Sequence, residues 1–378
     1  MLKFINRKFL LSIFKLVKNY IIGRDTKYPK YLIDFENKLA NYFNFKFCLT
    51  FSNGTSAADS IIKSFDVNKK FVIVSKLTFP SIICNLLRNG ANLYYFDVDF
   101  DLNLVIKNSE DKINNSEFIL ITSAYGFKNN KKIIEKIKNI NPNIKIIEDM
   151  SHSQGASNSY LDHETNIDGG FMSLQGSKAI SAGEGGAAFT NSEEIYKKMI
   201  IFSHLNRSIK NFDNETNQLI KIGIGVKSRM HPLGVFSAEF DLKELKSRNN
   251  KMRQKIKILY ETLKKSEKLK IPEIKDFNHL GGFHYGLPFF AHNPTDLSFT
   301  IQKKYHVLKY NWPALDKIDY FHSSEEFEKI NVLDTKLTKV FLKTGDIRDQ
   351  LYFIDLKFLQ KNNDNSIKNK IENFINEI

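Results

Sequence analysis

Residues 71–75 read FVIVS, 93–98 read LYYFDV, 118–123 read FILITS and 144–147 read IKII, and this stretch decides the fold. The runs are short, nearly continuous in apolar residues, and rich in β-branched and aromatic side chains. That pattern predicts strands buried on both faces, not the alternation of a half-exposed sheet. Segments of helical spacing lie at 56–65, before the first run, and at 130–140, before the last. Strands that alternate with helices predict a mainly parallel sheet covered on both sides.

Working outward, 171–174 and 187–190 add two strands, and a long charged helical pattern runs from about 235 to 265. Beyond it, 287–291, 297–305 and 340–359 read as α+β, and 367–378 as a last helix. The expectation is an α/β chain in three parts: a segment 1–24, a large domain 25–245 and a smaller α+β domain 246–378.

The 378 residues, 42% hydrophobic and 26% charged, suit a globular chain with full cores and argue against disorder over most of the length. Two cysteines, Cys48 and Cys84, lack metal-ligand spacing and cannot build a disulfide framework, which fits a reducing compartment. The formal charge of +14 favours anionic partners, yet the basic residues are spread along the chain in a Lys-, Asn- and Ile-rich composition. No zinc-finger spacing, RNP-like motif or basic zipper is present, so a nucleic-acid partner is not expected. Residues 1–22 interleave Leu2, Phe4, Ile5, Phe9, Ile13, Phe14 and Leu16 with Lys3, Arg7, Lys8, Lys15 and Lys18. The charges interrupt the apolar run too often for a spanning helix, and no small-residue cleavage site follows. Such a basic amphipathic helix either lies on an anionic membrane or packs on its own protein or a dimer partner.

In open α/β sheets, ligands bind at the carboxyl ends of strands, and three segments fall there. Asn53-Gly54-Thr55-Ser56 precedes a helix, as either an anion site made by backbone N–H groups and hydroxyls or a helix cap. Ile146-Ile147-Glu148-Asp149 ends a buried strand in two carboxylates, which are surface groups or the partner of a protonated ring nitrogen. Ser173-Leu174-Gln175-Gly176-Ser177-Lys178 leads into Gly183-Glu184-Gly185-Gly186, where glycines let the backbone approach a ligand. A lysine sheltered in such a place can lose its proton and form a Schiff base.

Taken in order, SNGTSA (52–57), LTFPS (77–81), IIEDMSHSQGA (146–156), SLQGSK (173–178) and GEGG (183–186) resemble the DegT/StrS-type aminotransferases over roughly residues 22–245. The resemblance implies the PLP-dependent transferase fold type I, aspartate-aminotransferase-like, and pyridoxal 5'-phosphate (PLP) as cofactor. It implies a homodimeric cytoplasmic enzyme that moves an amino group, from glutamate, to a nucleotide-linked keto-sugar for surface polysaccharide or glycan synthesis. Residue by residue, Lys178 matches the lysine that carries the cofactor as a Schiff base and shuttles protons. Asp149 matches the carboxylate facing the pyridinium nitrogen, and His152 the residue near the phenolic oxygen. Gly54, Thr55, Ser56 and Ser173 match the phosphate cradle, and Phe79 the aromatic side chain stacked on the ring.

There are departures from the family pattern. Its Gly-x-Asn-x-Arg-Met segment appears as Gly225-Val226-Lys227-Ser228-Arg229-Met230, so Lys227 either replaces the Asn that reaches the phosphate across the dimer or is simply exposed. The family's His-Gly pair appears as His204-Leu205, and Trp312-Pro313-Ala314-Leu315 matches the substrate-side loop only loosely. Two alternatives remain beside the aminotransferase: a sugar dehydratase of the same fold, in which the lysine position holds His, and a non-catalytic binding protein. Lys178 speaks against the first, and the set Lys178, Asp149 and Ser173 against the second.

Overall fold

The computed structural model describes residues 14, 30–128, 131–156, 167–207, 212–222, 225–310 and 350–378. The expected N-terminal amphipathic helix and the segment Trp312–Leu315 lie outside them, apart from Phe14. In chain order the elements begin with α1 (Lys30–Tyr42), β1 (Phe47–Phe51), α2 (Gly54–Ser64), β2 (Phe71–Ser75), α3 (Pro80–Arg88), β3 (Asn92–Phe96), α4 (Glu110–Asn114), β4 (Phe118–Thr122), α5 (Lys131–Ile140) and β5 (Lys145–Asp149). They continue with β6 (Gly169–Ser173), β7 (Gly186–Thr190), α6 (Glu193–Ser203), α7 (Asn214–Ile222), α8 (Pro232–Leu263), β8 (Leu269–Lys270), β9 (Gly286–Ala291), α9 (Phe299–Tyr305), β10 (Val307–Lys309), β11 (Leu351–Asp355), α10 (Leu356–Lys361) and α11 (Asp364–Glu377). The chain forms two compact units, Met1–Phe65 with Phe171–Glu244, and Asp66–Gly170 with Leu245–Ile378.

In the unit built from Asp66–Gly170 and Leu245–Ile378, β2 pairs in parallel with β3 and β4, and β4 pairs in parallel with β5. The interior positions of β2, β4 and β5 are buried, as continuous apolar runs require, while β3 leaves Tyr94 half-buried. Parallel pairing brings the carboxyl ends of these strands to one edge, where Thr122 lies opposite Asp149. β5 runs two residues beyond the apolar pattern, because its backbone stays paired with β4 through Glu148 and Asp149. β3 stops at Phe96, where its register with β2 ends at Ser75.

A four-stranded antiparallel sheet, β10-β11-β9-β8, belongs to the same unit. All six residues of β9 are buried. Phe289, Phe290, Tyr352, Phe353 and Phe374 give this sheet an aromatic core. Each such side chain withdrawn from water contributes about 1.5–3 kcal/mol, so a few of them hold α11 against the sheet.

In the unit built from Met1–Phe65 and Phe171–Glu244, β1 runs antiparallel to β7, with Phe47 opposite Thr190 and Phe51 opposite Gly186. The apolar face of α1 buries Leu32, Phe35 and Leu39. The same helix buries Glu36, whose Oε2 accepts from Arg207 Nη2 at 2.7 Å and whose Oε1 accepts from the Thr50 amide and hydroxyl at 2.9 Å. These partners offset the desolvation of a buried ion pair.

Candidate active site

The first unit carries the predicted anion cradle. α2 starts at Gly54, two residues before the predicted Ser56, and its cap is Asn53, whose side chain accepts from the Ser56 amide at 2.8 Å. Asn53 thus fills the capping role, while the helix N-terminus keeps its positive dipole end toward Thr55 and Ser56. Gly54 packs directly on Ser173: a Cβ added to Gly54 would sit 2.7 Å from the Ser173 Cβ. A Cβ on Gly186 would sit 2.3 Å from the Asn53 carbonyl oxygen. Both glycines are therefore required by close approach, and together they bring the Ser173 hydroxyl beside the start of α2.

Lys178 lies half-buried on the connection from β6 to β7. This loop is closed by backbone hydrogen bonds, Leu174 N to Gly185 O at 2.8 Å, Ala182 N to Leu174 O at 2.7 Å and Gly176 N to Gly183 O at 2.8 Å. The Lys178 amide donates to Gln175 O at 2.8 Å. Ser181 N donates to Asp241 Oδ2 on α8 at 2.9 Å, which ties the far side of the loop down. Lys227 is exposed, and its backbone bridges to that of His204.

The second unit carries the predicted ring partners. Asp149, 5% exposed, closes β5, and its Oδ1 accepts from the Ser151 amide at 2.9 Å. Beside it, Glu148 is buried and accepts from the Ser123 hydroxyl. His152 is half-buried on the loop after β5. Phe79 is 46% exposed and sits extended (φ −70°, ψ 135°) just before Pro80, which opens α3. A residue before proline is pushed out of the helical region, so Phe79 is held at the helix mouth. The hydroxyls of the neighbouring Thr78 and of Thr122 hydrogen-bond to each other.

Several residues near these groups carry no signal in sequence pattern. Lys76 and Asp97 form a buried ion pair at 2.8 Å. His152 lies among rings: His284 at a centroid distance of 4.3 Å, Tyr125 at 5.3 Å and Tyr285 at 6.0 Å. The Gly281-Gly282-Phe283-His284-Tyr285-Gly286 segment could have been noticed by its glycines, which mark a close backbone approach. In the first unit, burial pushes the pKa of His204 well below its ordinary value, and the charges of Arg207 and Arg229 push it the same way.

Taken unit by unit, these residues have the chemistry that parts of a phosphorylated pyridine aldehyde require. A helix N-terminus with hydroxyls on both sides accepts a dianionic phosphate, a buried carboxylate accepts a protonated ring nitrogen, and a primary amine on a fixed loop condenses with an aldehyde. Residues 15–296 match the profile of the DegT/DnrJ/EryC1/StrS aminotransferase family, and the chain belongs to that family.

Among curated relatives, a Campylobacter jejuni UDP-4-amino-4,6-dideoxy-N-acetyl-beta-L-altrosamine transaminase is 29% identical over 175 residues, 45% of this chain and 46% of that protein. At that coverage the chain spans about half the length of the curated relatives it matches. In three dimensions it resembles 3-amino-5-hydroxybenzoic acid synthase, with a TM-score of 0.78 and 18% identity over 97% of this chain and 95% of the other. It also resembles E. coli GDP-4-keto-6-deoxy-D-mannose-3-dehydratase with bound hydrated PLP, with a TM-score of 0.73 and 17% identity over 96% and 95% of the chains. The fold is that of the PLP-dependent transferases of fold type I. Among the described residues, no helix is long and apolar enough to cross a membrane.

Proposed function

We propose that the chain is a PLP-dependent aminotransferase that moves an amino group from glutamate to a keto-sugar carried on a nucleotide, in the synthesis of surface polysaccharide or another glycan. One observation carries this reading: position 178 is a lysine, half-buried on a backbone-closed loop between Ser173 and the Gly183–Gly186 turn. A histidine there would point to dehydration instead.

Bound PLP would supply an electron sink for the carbanion formed at the substrate carbon. Lys178 would hold the cofactor through its Nζ, and its amine, once free, would be the group placed to carry a proton at the donor carbon. Asp149 would hold the ring nitrogen protonated, and its burial would strengthen that pairing by excluding water. Gly54, Thr55, Ser56 and Ser173 would bind the phosphate and fix the ring's position, while Phe79 would cover one ring face. His152 would be the group beside the phenolic oxygen. The active enzyme is a cytoplasmic homodimer, and the exposed Lys227 reaches the phosphate of the second copy as a point charge.

The deciding experiment is an absorption spectrum of the purified protein with PLP, before and after glutamate. A visible band that gives way to a shorter-wavelength one on adding glutamate supports both cofactor and donor. A band indifferent to glutamate rejects that donor, and no band rejects the enzyme.

A further inference from the structure

We propose that His284 is a positioning residue for His152, held to that task by the strained segment Gly281–Gly286. The inference rests on the reading of His152 as the group beside the cofactor's phenolic oxygen. The two imidazoles lie against each other with their centroids 4.3 Å apart and their planes tilted by 36°. His284 is 8% exposed, whereas His152 is half-buried, so the inner ring backs the outer one. A flat neighbour at that distance restricts rotation of the His152 ring about its own axis.

The backbone around His284 is unusual in a way that ordinary core packing does not require. Gly282 (φ +77°), Phe283 (φ +39°), Tyr285 (φ +69°) and Gly286 (φ +111°) all lie in the left-handed region. Two of these are aromatic residues, for which that region is strained, and such strain persists only where the surroundings over-determine it. Here the cause is close approach. A Cβ on Gly282 would sit 2.7 Å from Gln154 N and 2.9 Å from the His152 carbonyl oxygen. One on Gly281 would sit 2.3 Å from Ala156 N, and one on Gly286 1.8 Å from the Ile354 carbonyl oxygen. The segment is wedged between the His152 loop and β11, which leaves the His284 ring against that of His152.

Helix α8 grips both segments at once. Asn249 accepts from Gly282 N at 3.3 Å and donates to Gln154 O at 3.1 Å. Arg253 donates to Leu280 O at 2.8 Å and to Gly155 O at 3.2 Å. Two side chains that each bridge both segments fix their register, and with it the ring pair.

The test uses the full chain loaded with PLP, reading the absorption maximum of the bound cofactor and its dissociation constant, with thermal unfolding to show that each variant folds. His284→Ala should displace the maximum and weaken PLP binding by roughly three- to tenfold, the range of an aromatic contact. His284→Phe, which keeps a flat face, should restore both. Adding His284→Ala to His152→Ala should change nothing further. If His284→Ala does not fold, His284→Leu, which keeps volume without a ring, carries the same expectations. A His284→Ala protein with the wild-type spectrum and affinity overturns the proposal, as does an equal loss with and without His152. An unchanged spectrum in His152→Ala overturns the reading of His152 itself, and the positioning role falls with it. A shift in His152→Ala but none in His284→Ala removes the positioning role alone.

Discussion

Gly54 and Ser173 touch: the first residue of α2 approaches so closely that a methyl group on it would lie 2.7 Å from the Ser173 Cβ and 2.8 Å from its Cα. The helix mouth and the end of β6 are thus one surface, and only a glycine permits it. Gly54→Ala must push α2 away from Ser173 or distort β6, at a cost of about 1–3 kcal/mol. The expected result is a lower midpoint in urea together with weaker PLP binding. A variant with wild-type stability and affinity would show that the contact is slack.

Lys178→Ala should remove the visible absorption band of the lysine-bound cofactor and abolish transamination, while the circular dichroism spectrum stays that of the parent. The side chain is half-buried on a loop fixed by its own backbone, so its loss leaves the Leu174–Gly185 and Gly176–Gly183 hydrogen bonds in place. Near-normal transamination in this variant would sink the assignment.

Asp149→Asn keeps the shape of the side chain and removes the charge opposite the ring nitrogen. PLP should still bind, because the phosphate contacts are untouched, but the glutamate half-reaction should slow on the order of 10²–10³-fold, as when one charge-stabilising group is lost. Single-turnover absorbance changes read this directly. A rate within a factor of about two of wild type would free Asp149 of the role, since losing one such group typically costs about 10²–10³-fold.

His204 gives the fold a predictable pH dependence. Burial, with help from Arg207 and Arg229, holds its pKa well below the ordinary value, so the folded protein keeps it neutral. In the unfolded chain it takes up a proton near pH 6.5 (about the reference value), so stability is present above that pH and is lost as pH falls below it, by about 1.4 kcal/mol per unit until the folded pKa is reached. Urea unfolding at neutral and mildly acid pH should show a smaller pH slope for His204→Gln than for the parent, whatever its absolute stability. Equal slopes would place the acid sensitivity elsewhere.

Glu36→Gln tests the buried pair beneath β1. Arg207 would keep its charge with a neutral amide in place of the carboxylate it meets at 2.7 Å, and breaking such a pair costs about 3–5 kcal/mol. The expected signature is a large drop in thermal midpoint with the PLP spectrum of the surviving folded protein unchanged. A shift of the spectrum would instead tie this pair to the cofactor.

Most strands were legible because a buried strand must be apolar at nearly every position, and β2 matches its predicted span of 71–75. The ends were less so. β5 continues into Glu148 and Asp149 because strand ends obey backbone pairing, which a side-chain pattern does not record. α2 begins at Gly54, two residues before the helical pattern at Ser56, because the Asn53 side chain caps the backbone there and a cap lies outside the apolar periodicity.

By itself the sequence determined the alternation of strands and helices, and the order of Gly54, Phe79, Asp149, His152, Ser173 and Lys178 along it. Each belongs to a short segment whose chemistry is set by its immediate neighbours. Only the tertiary structure decided that Gly54 meets Ser173, that Glu36 meets Arg207 and that the His152 ring lies against that of His284. Those pairs join residues far apart in the chain, and they form because packing and strand register bring their backbones together. No local pattern encodes that choice.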